Sequence, residues 1–468
     1  FLVRYFRDAM GDKPYLQLEV DEHSADAGAI TRCEAFLDSL ENADITGLHP
    51  ADPVKTRAAK YDSANSRTRK IYIPRMCDHS FALAAAFRRH GADAEVMPCA
   101  DRDTIALGRK LTSGKECYPC TITTGEMARV CMAHGFDPSR AAFFMPSGAG
   151  PCRFGQYNML HRLVLDDMGC REVPIYAPNQ DDGLYHDLGV VGGSFVRTVW
   201  EGVVAVDLLT KCLHETRPYE KDGGTADAAY GKMLAEVVRA VESGGLMKPV
   251  LQGMREEFAA IARTDGQKPL IGVVGEIYVR GNQFSNENAI RKVEALGGVV
   301  WLAPFGEWIF YQNYTNLDNA RQKGRLGEYF NCLTASFVQK RIDHAYASVF
   351  EGFLKTLHEP EIKHTLKLAR PYLRDTFQGE AILSIGKSVD LAHRGVCGVL
   401  NLMPFNCMPG TIVTALLKKF SDDLGGFPYL SMQYDGNEQA NAATRMEAFI
   451  HQAKQRLEEG NSAARKAA

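Results

Sequence analysis

The stretch KIYIPRMCDHSFALAAAFRRHGADAEVMPC, residues 70–99, decides the fold. Ile71-Tyr72-Ile73-Pro74 is an apolar run of strand length. Ser80 to His90 repeats apolar residues at helical spacing and stops at Gly91, which tolerates left-handed backbone. Ala94-Glu95-Val96-Met97 reads as strand again. A strand, a helix and a strand in so short a span imply a right-handed crossover, so the two strands lie parallel in one sheet.

The same alternation continues outward. Asp101 is placed to cap a helix running to Thr112. A cysteine-bearing loop follows Gly114, then a helix to about Ala133, a strand at Ala141–Met145, a helix at Gln156–Met168 and a strand at Val173–Tyr176. This gives a cysteine-rich α/β domain over 67–195, preceded by a mostly helical lead-in, 1–66. Residues 196–266 read as a helical connector broken at Pro218 and Gly223-Gly224. A second α/β domain, 267–377, has PLIGVVGEIYV as strand, NENAIRKVEALGG as helix, VVWLAP as strand and a helical segment from about 312. A third, 378–468, has AILSIGKSVDLAH as helix, GVLNLMPF as strand, TIVTALLKKFSDDL as helix, YLSMQY as strand and a closing helix, Gln439 to Leu457. Helices regularly following strands make this an α/β chain with parallel sheets.

The length of 468 residues exceeds what one core serves, in keeping with several domains. The 54 Lys plus Arg against 57 acids leave a formal charge of -3, which offers no footprint for nucleic acid or an anionic membrane. No apolar run is long enough for a membrane helix. The start, Phe1-Leu2-Val3-Arg4-Tyr5, has no signal-peptide pattern, and a processed product or a segment of a longer polypeptide is expected. With twelve cysteines and no secretory signal, the expected setting is a reducing cytoplasm, where thiols pack, bind metal or do redox chemistry.

Sites in open parallel sheets form beyond the carboxyl ends of the strands. Cys77, Cys99 and Cys152 each follow a strand of the first sheet, and Cys407 follows GVLNLMPF. Cys117 and Cys120 lie in the Lys115-Glu116-Cys117-Tyr118-Pro119-Cys120 loop at the start of a helix. The remaining six, Cys33, Cys131, Cys170, Cys212, Cys332 and Cys397, read as packed thiols. The Cys-x-x-Cys spacing leaves an iron–sulfur cluster, a redox dithiol, zinc and plain packing open. A helix N-terminus beyond Cys120 favours an anionic group there.

Three phrases carry a family resemblance: SGKECYPCTITTGEM (113–127), SGAGPCRFGQYNMLHRLVLDDMG (147–169) and GVLNLMPFNCMPGTIV (398–413). With PRMCDH (74–79) and GVVGEIYVRGNQFSNENAIRKVEALGG (272–298), they resemble the 2-hydroxyacyl-CoA dehydratase and activase-related superfamily. Within it the chain is most similar to double-cubane cluster proteins and to the carboxy-terminal part of large fused activase-like proteins. The resemblance implies several Rossmann-like domains around a buried iron–sulfur cluster of the double-cubane [8Fe-9S] type with six cysteine ligands. Those ligands are expected to be Cys77, Cys99, Cys117, Cys120, Cys152 and Cys407, with Cys397 the substitute for Cys99. It further implies an ATP-dependent iron–sulfur activator, separate or fused, a homodimer, and a small-molecule substrate of a low-potential reductase. The alternatives are a dehydratase subunit with a [4Fe-4S] cluster and a non-catalytic electron relay.

Other residues are weaker candidates. His79 and Arg153 could act on protons or on charge near the centre, with a surface ion pair as the competing role for Arg153. Asp78 is expected to cap the helix that follows it, with proton supply near the centre as its competing role. Gly148, Gly150 and Gly155 fit either close approach to a cluster or an ordinary turn. Met403, Phe405 and Met408 fit an apolar shell or core. Glu276 and Tyr278 are read at the end of the second domain's strand, near a substrate pocket. Gly272-Val273-Val274-Gly275 lacks the full dinucleotide fingerprint, and the chain has no Walker-type phosphate loop, so ATP hydrolysis is expected of the partner.

Overall fold

The computed structural model describes residues 10, 13–18, 26–42, 68–148, 150, 152–179, 191, 194–437 and 441–467. Of the expected lead-in, the helix α1 (Asp26–Glu41) falls among them, and residues 43–67 lie outside.

The first sheet forms from β1 (Lys70–Ile73), β2 (Ala94–Val96), β3 (Ala141–Phe144) and β4 (Ile175–Tyr176), in the order β2-β1-β3-β4 and all parallel. Its crossovers are α2 (His79–Arg89), then α3 (Arg102–Leu111) with α4 (Tyr118–Cys131), and α5 (Tyr157–Asp167). Asp101 caps α3 as expected: its carboxylate accepts from the Thr104 backbone, and the Thr104 hydroxyl closes the box. Asp78 stands before α2 but makes no capping bond. It accepts from the Tyr230 hydroxyl at 2.7 Å instead, so its expected capping role is corrected.

Residues 196–266 become three helices, α6 (Phe195–Thr216), α7 (Thr225–Ser243) and α8 (Met247–Ala259), separated near Pro218 and Gly224. They bury Trp200, Leu209, Val237 and Leu251 in one core with Ile71, Phe87 and Phe195. The segment is therefore a packed layer on the first sheet as much as a connector.

The second sheet takes β5 (Leu270–Gly275), β6 (Val299–Leu302), β7 (Gly398–Pro404) and β8 (Tyr429–Tyr434), in the order β6-β5-β7-β8, again all parallel. Residues 267–377 and 378–468, expected as two domains, thus contribute two strands each to one sheet. Two sheets of the same strand order carry the chain. Between the strands run α9 (Ile277–Gly281), α10 (Ala289–Ala295), α11 (Gly306–Gln322), α12 (Leu326–Ala347), α13 (Ile362–Ala369), α14 (Glu380–His393), α15 (Met408–Asp423) and the closing α16 (Ala442–Ala467). β7 is buried along its whole length, as a central parallel strand requires.

One expected strand ends early. GVVGEIYV does not continue past Gly275, whose φ of 113° turns the chain where any Cβ would meet Leu402 O. Glu276 then accepts from the backbone N–H groups of Tyr278 and Val279 and starts α9. Glu276 and Tyr278 therefore belong to a helix start beyond the strand. Among the described residues no helix is long and apolar enough to cross a membrane.

Candidate functional site

The carboxyl ends of both sheets meet at one cavity of about 270 Å³. Cys77 comes to it from β1, Cys152 from β3 and Glu276 from β5, with Glu380 at the start of α14. Its walls are mostly apolar, including Met76, Phe154, Phe305, Trp308 and Ile309.

Cys117, Cys120, Cys152 and Cys407 gather beside this cavity. Each thiol is held above its ordinary range first by burial, and negative neighbours add to it: Cys117 acts on Cys120 and Cys152, and Cys152 acts on Cys407. Burial pushes Cys152 up to about 12, against one backbone N–H from Phe154. Cys117 touches the Tyr157 hydroxyl, which together with the Arg153 charge partly offsets its burial. Buried thiols with few donors are costly to ionise alone; cations bound as metal would reverse that preference.

Arg153 ties these segments together. Its guanidinium donates to Lys115 O at 2.7 Å and to Asn406 O at 2.8 Å, bridging the loop before Cys117 and the turn before Cys407. That turn is tight: Asn406 has φ 56°, and Cys407 N bonds Pro404 O. Arg153 thus clamps two backbone carbonyls, while its charge acts on Cys117. Gly155 lies so close to the Gly148 backbone that a Cβ would sit 1.9 Å from its carbonyl oxygen. The glycine-rich phrase around Cys152 therefore closes a loop upon itself.

Cys77 sits on the far rim, with Gly281 of α9 packed against it. His79 Nδ1 lies 3.3 Å from its sulfur, and His79 Nε2 lies 3.0 Å from Asp207 Oδ1 on α6. Burial opposes the imidazolium, but the Cys77 and Asp207 charges outweigh it and raise His79 to about 10. Asp207 also accepts from the Phe305 and Gly306 N–H groups, joining the first sheet's helical layer to the start of α11.

Cys99 is exposed in the loop after β2 and lies outside the cavity lining. Its substitute Cys397 precedes β7, at the end of the strand remote from Cys407, in the core with Leu400 and Phe449. Cys131 neighbours Cys170, and the two free thiols share a hydrogen bond. Met403 is buried and packs on Gly410, whereas Phe405 and Met408 are exposed.

Sequence reasoning missed Glu380. Burial, and then the Glu276 charge, raise its carboxyl to about 8, with Arg280 3.8 Å away opposing. Its Oε1 has no hydrogen-bond partner among the described residues. Only its position at a predicted helix start could have flagged it. Among the described residues, no three His, Cys, Asp or Glu side chains converge closely enough to cage a single metal ion. The four thiols come from three separate segments, the start of α4, the turn after β3 and the turn after β7. The sequence matches no family model and no curated protein.

Proposed function

We propose that this chain is the iron–sulfur component of an ATP-dependent low-potential reductase, related to the 2-hydroxyacyl-CoA dehydratase superfamily and within it to the double-cubane proteins. The observation that carries the reading is the gathering of Cys117, Cys120, Cys152 and Cys407 beside a cavity that Cys77 also lines. These five would hold the cluster, and Cys99 joins them if its loop folds inward. A bound cluster would supply single electrons at very negative potential.

The chain's own residues do the rest. Arg153 fixes the spacing of the Cys117 and Cys407 segments. The apolar walls exclude water and admit a small molecule. Glu380, neutral at pH 7 with its ordinary value raised to about 8, holds a proton at the cavity wall. A cavity of about 270 Å³ falls below the roughly 300–1,000 Å³ of pockets for drug-sized ligands, which favours a small substrate over a bulky thioester. It also favours a reductase over a closed electron relay.

A second reading rests on Cys77, His79 and Asp207, which align as thiol, imidazole and carboxylate. In it Cys77 is a nucleophile and needs no metal. One experiment separates the two: anaerobically purified protein is reduced with titanium(III) citrate and examined by electron paramagnetic resonance. The reductase reading expects a cluster signal that Cys152→Ser alters. A silent protein whose Cys77 alone reacts rapidly with iodoacetamide would overturn it in favour of the second.

A further inference from the structure

Helices α4 and α5 are tied to each other at both ends. At the amino ends, the Tyr157 hydroxyl of α5 touches the sulfur of Cys117, the residue from which α4 starts. At the far end α4 finishes on Cys131, whose thiol shares a hydrogen bond with the thiol of Cys170, three residues beyond α5. Both cysteines are free. Eleven residues of helix separate Cys131 from Cys120, a rise of about 16 Å, so this pair is remote from the gathered thiols.

The turn after α5 is built to hold Cys170 in that place. Gly169, with φ 79°, turns the chain out of the helix, and Cys170 N–H then donates to Leu165 O at 2.8 Å. Arg162, paired with Asp166 on α5, donates to Cys170 O at 2.8 Å. The backbone of Cys170 is thus bound through both its N–H and its carbonyl. Its side chain lies in the core with Val164, Leu165 and Val173, whereas Cys131 packs on that core from a half-buried position. A small oxidant therefore reaches Cys131 and not Cys170, the relation of an attacked thiol to a resolving one.

We propose that Cys131 and Cys170 form a site of reversible oxidation, joined as a disulfide by a peroxide. The Cys131 sulfur takes one oxygen from hydrogen peroxide and becomes a sulfenic acid, and one water leaves. The Cys170 thiol then attacks that sulfur, the S–O bond breaks, and a second water leaves with the thiol proton. Each peroxide reduced removes two electrons and two protons from the pair. Sulfurs already in hydrogen-bonding contact need to close by only about 2 Å to form the bond. Burial first, and then Cys170, hold the Cys131 thiol above its ordinary range, with the Arg162 charge opposing. Little thiolate is present at neutral pH, so the pair answers sustained oxidant rather than acting as a fast sensor.

The bond fastens the carboxyl end of α4 to the turn after α5 and closes a loop that contains β3 and Cys152. A covalent loop of this kind restricts the unfolded chain and stabilises the folded one. It acts at the end of the helix pair opposite Cys117 and Cys120, and it needs no bound metal.

The test treats the full chain, purified without oxygen, with hydrogen peroxide, blocks remaining thiols with iodoacetamide and digests with trypsin in the absence of reductant. Mass spectrometry should find the peptide 130–140 joined to 163–171, two hydrogens lighter than their sum and separated by dithiothreitol. The oxidised wild type should melt at a higher temperature than Cys131→Ser protein treated alike. Cys170→Ser lacks the resolving thiol, so its Cys131 should accumulate sulfenic acid that dimedone labels, with little label there in the wild type. Recovery of Cys131 only as alkylated thiol or as sulfonic acid, with no linked peptide, would overturn the proposal. So would a link that forms only after unfolding in urea, because the folded contact would then not direct it. Absence of dimedone label from Cys131 in peroxide-treated Cys170→Ser protein would overturn the assigned order of attack.

Discussion

Arg153 Nη2 donates to Asn406 O at 2.8 Å, across the boundary between the two sheets, while Nη1 of the same guanidinium holds Lys115 O. One side chain thus sets the distance between Cys117, Cys152 and Cys407. Replacing it with alanine leaves two carbonyls to water and frees two loops. Hydrogen bonds from a charged donor contribute about 1.5–3 kcal/mol each when shielded, and less at a partly exposed site such as this one. Arg153→Ala should therefore raise amide exchange in 113–117 and in 404–408 together, with 94–99 unchanged. Exchange measured by mass spectrometry checks this, and an effect confined to one loop would argue against the clamp.

The two thiols that follow Cys117 should behave differently. Cys120 lies in the first turn of α4, buried and next to the Cys117 charge, whereas Cys131 ends that helix and hydrogen-bonds to the Cys170 thiol. Cys120→Ser is expected to lose or convert the cluster, and Cys131→Ser to keep iron content and spectrum. Iron analysis of both variants decides it. Loss of iron from a folded Cys131→Ser protein would contradict the ligand assignment.

Much of this arrangement was legible in the sequence, for local reasons. The apolar runs at Ile71, Ala94, Ala141 and Val399 are strands because each is short and stopped by proline, and Cys152 and Cys407 lie beyond the carboxyl ends of β3 and β7, whereas Cys117 and Cys120 sit at a helix start. The merging of β5–β8 into one sheet was not legible, because β7 reaches β5 across more than a hundred intervening residues and pairing partners leave no local mark. Gly275 misled the reading of GVVGEIYV: apolar periodicity continues through Ile277, but the positive φ ends the strand. Arg153 and Glu380 were unreadable in role, since each acts on groups brought near only by the assembled fold.

Glu380 gives a pH dependence in metal-free protein. Its carboxyl is raised from 4.5 to about 8, so between these values the folded state holds a proton that the unfolded state has lost. Stability must then fall as pH rises through that window. Glu276, Arg280, Cys152 and Cys407 are the ionisable groups that share its surroundings. Glu380→Gln removes the penalty. In urea unfolding, the variant's advantage over wild type should be small at pH 5 and grow towards pH 9. A constant difference would show that Glu380 is ionised throughout.

Glu359 should act in the opposite sense. Burial disfavours its charge, but Lys211 at 2.5 Å and the close Lys387 outweigh that and lower it to about 2. Its contribution is complete above about pH 4.5 and disappears as the pH falls towards about 2. Trp301 Nε1 donates to the same carboxylate, so the network joins β6, α6 and α14. Removing one partner strands a buried charge, and Lys387→Met should cost about 3–5 kcal/mol. Thermal unfolding at pH 7 checks the loss, and a variant as stable as wild type would show that the lysine is dispensable.

The central claim is tested most directly by counting iron and acid-labile sulfide per chain in protein purified without oxygen. A double-cubane centre predicts about eight irons and about nine sulfides per chain, and little zinc. About four of each would move the reading to an ordinary cubane and the dehydratase alternative. About one zinc per chain with no iron, or no metal at all, would contradict the account.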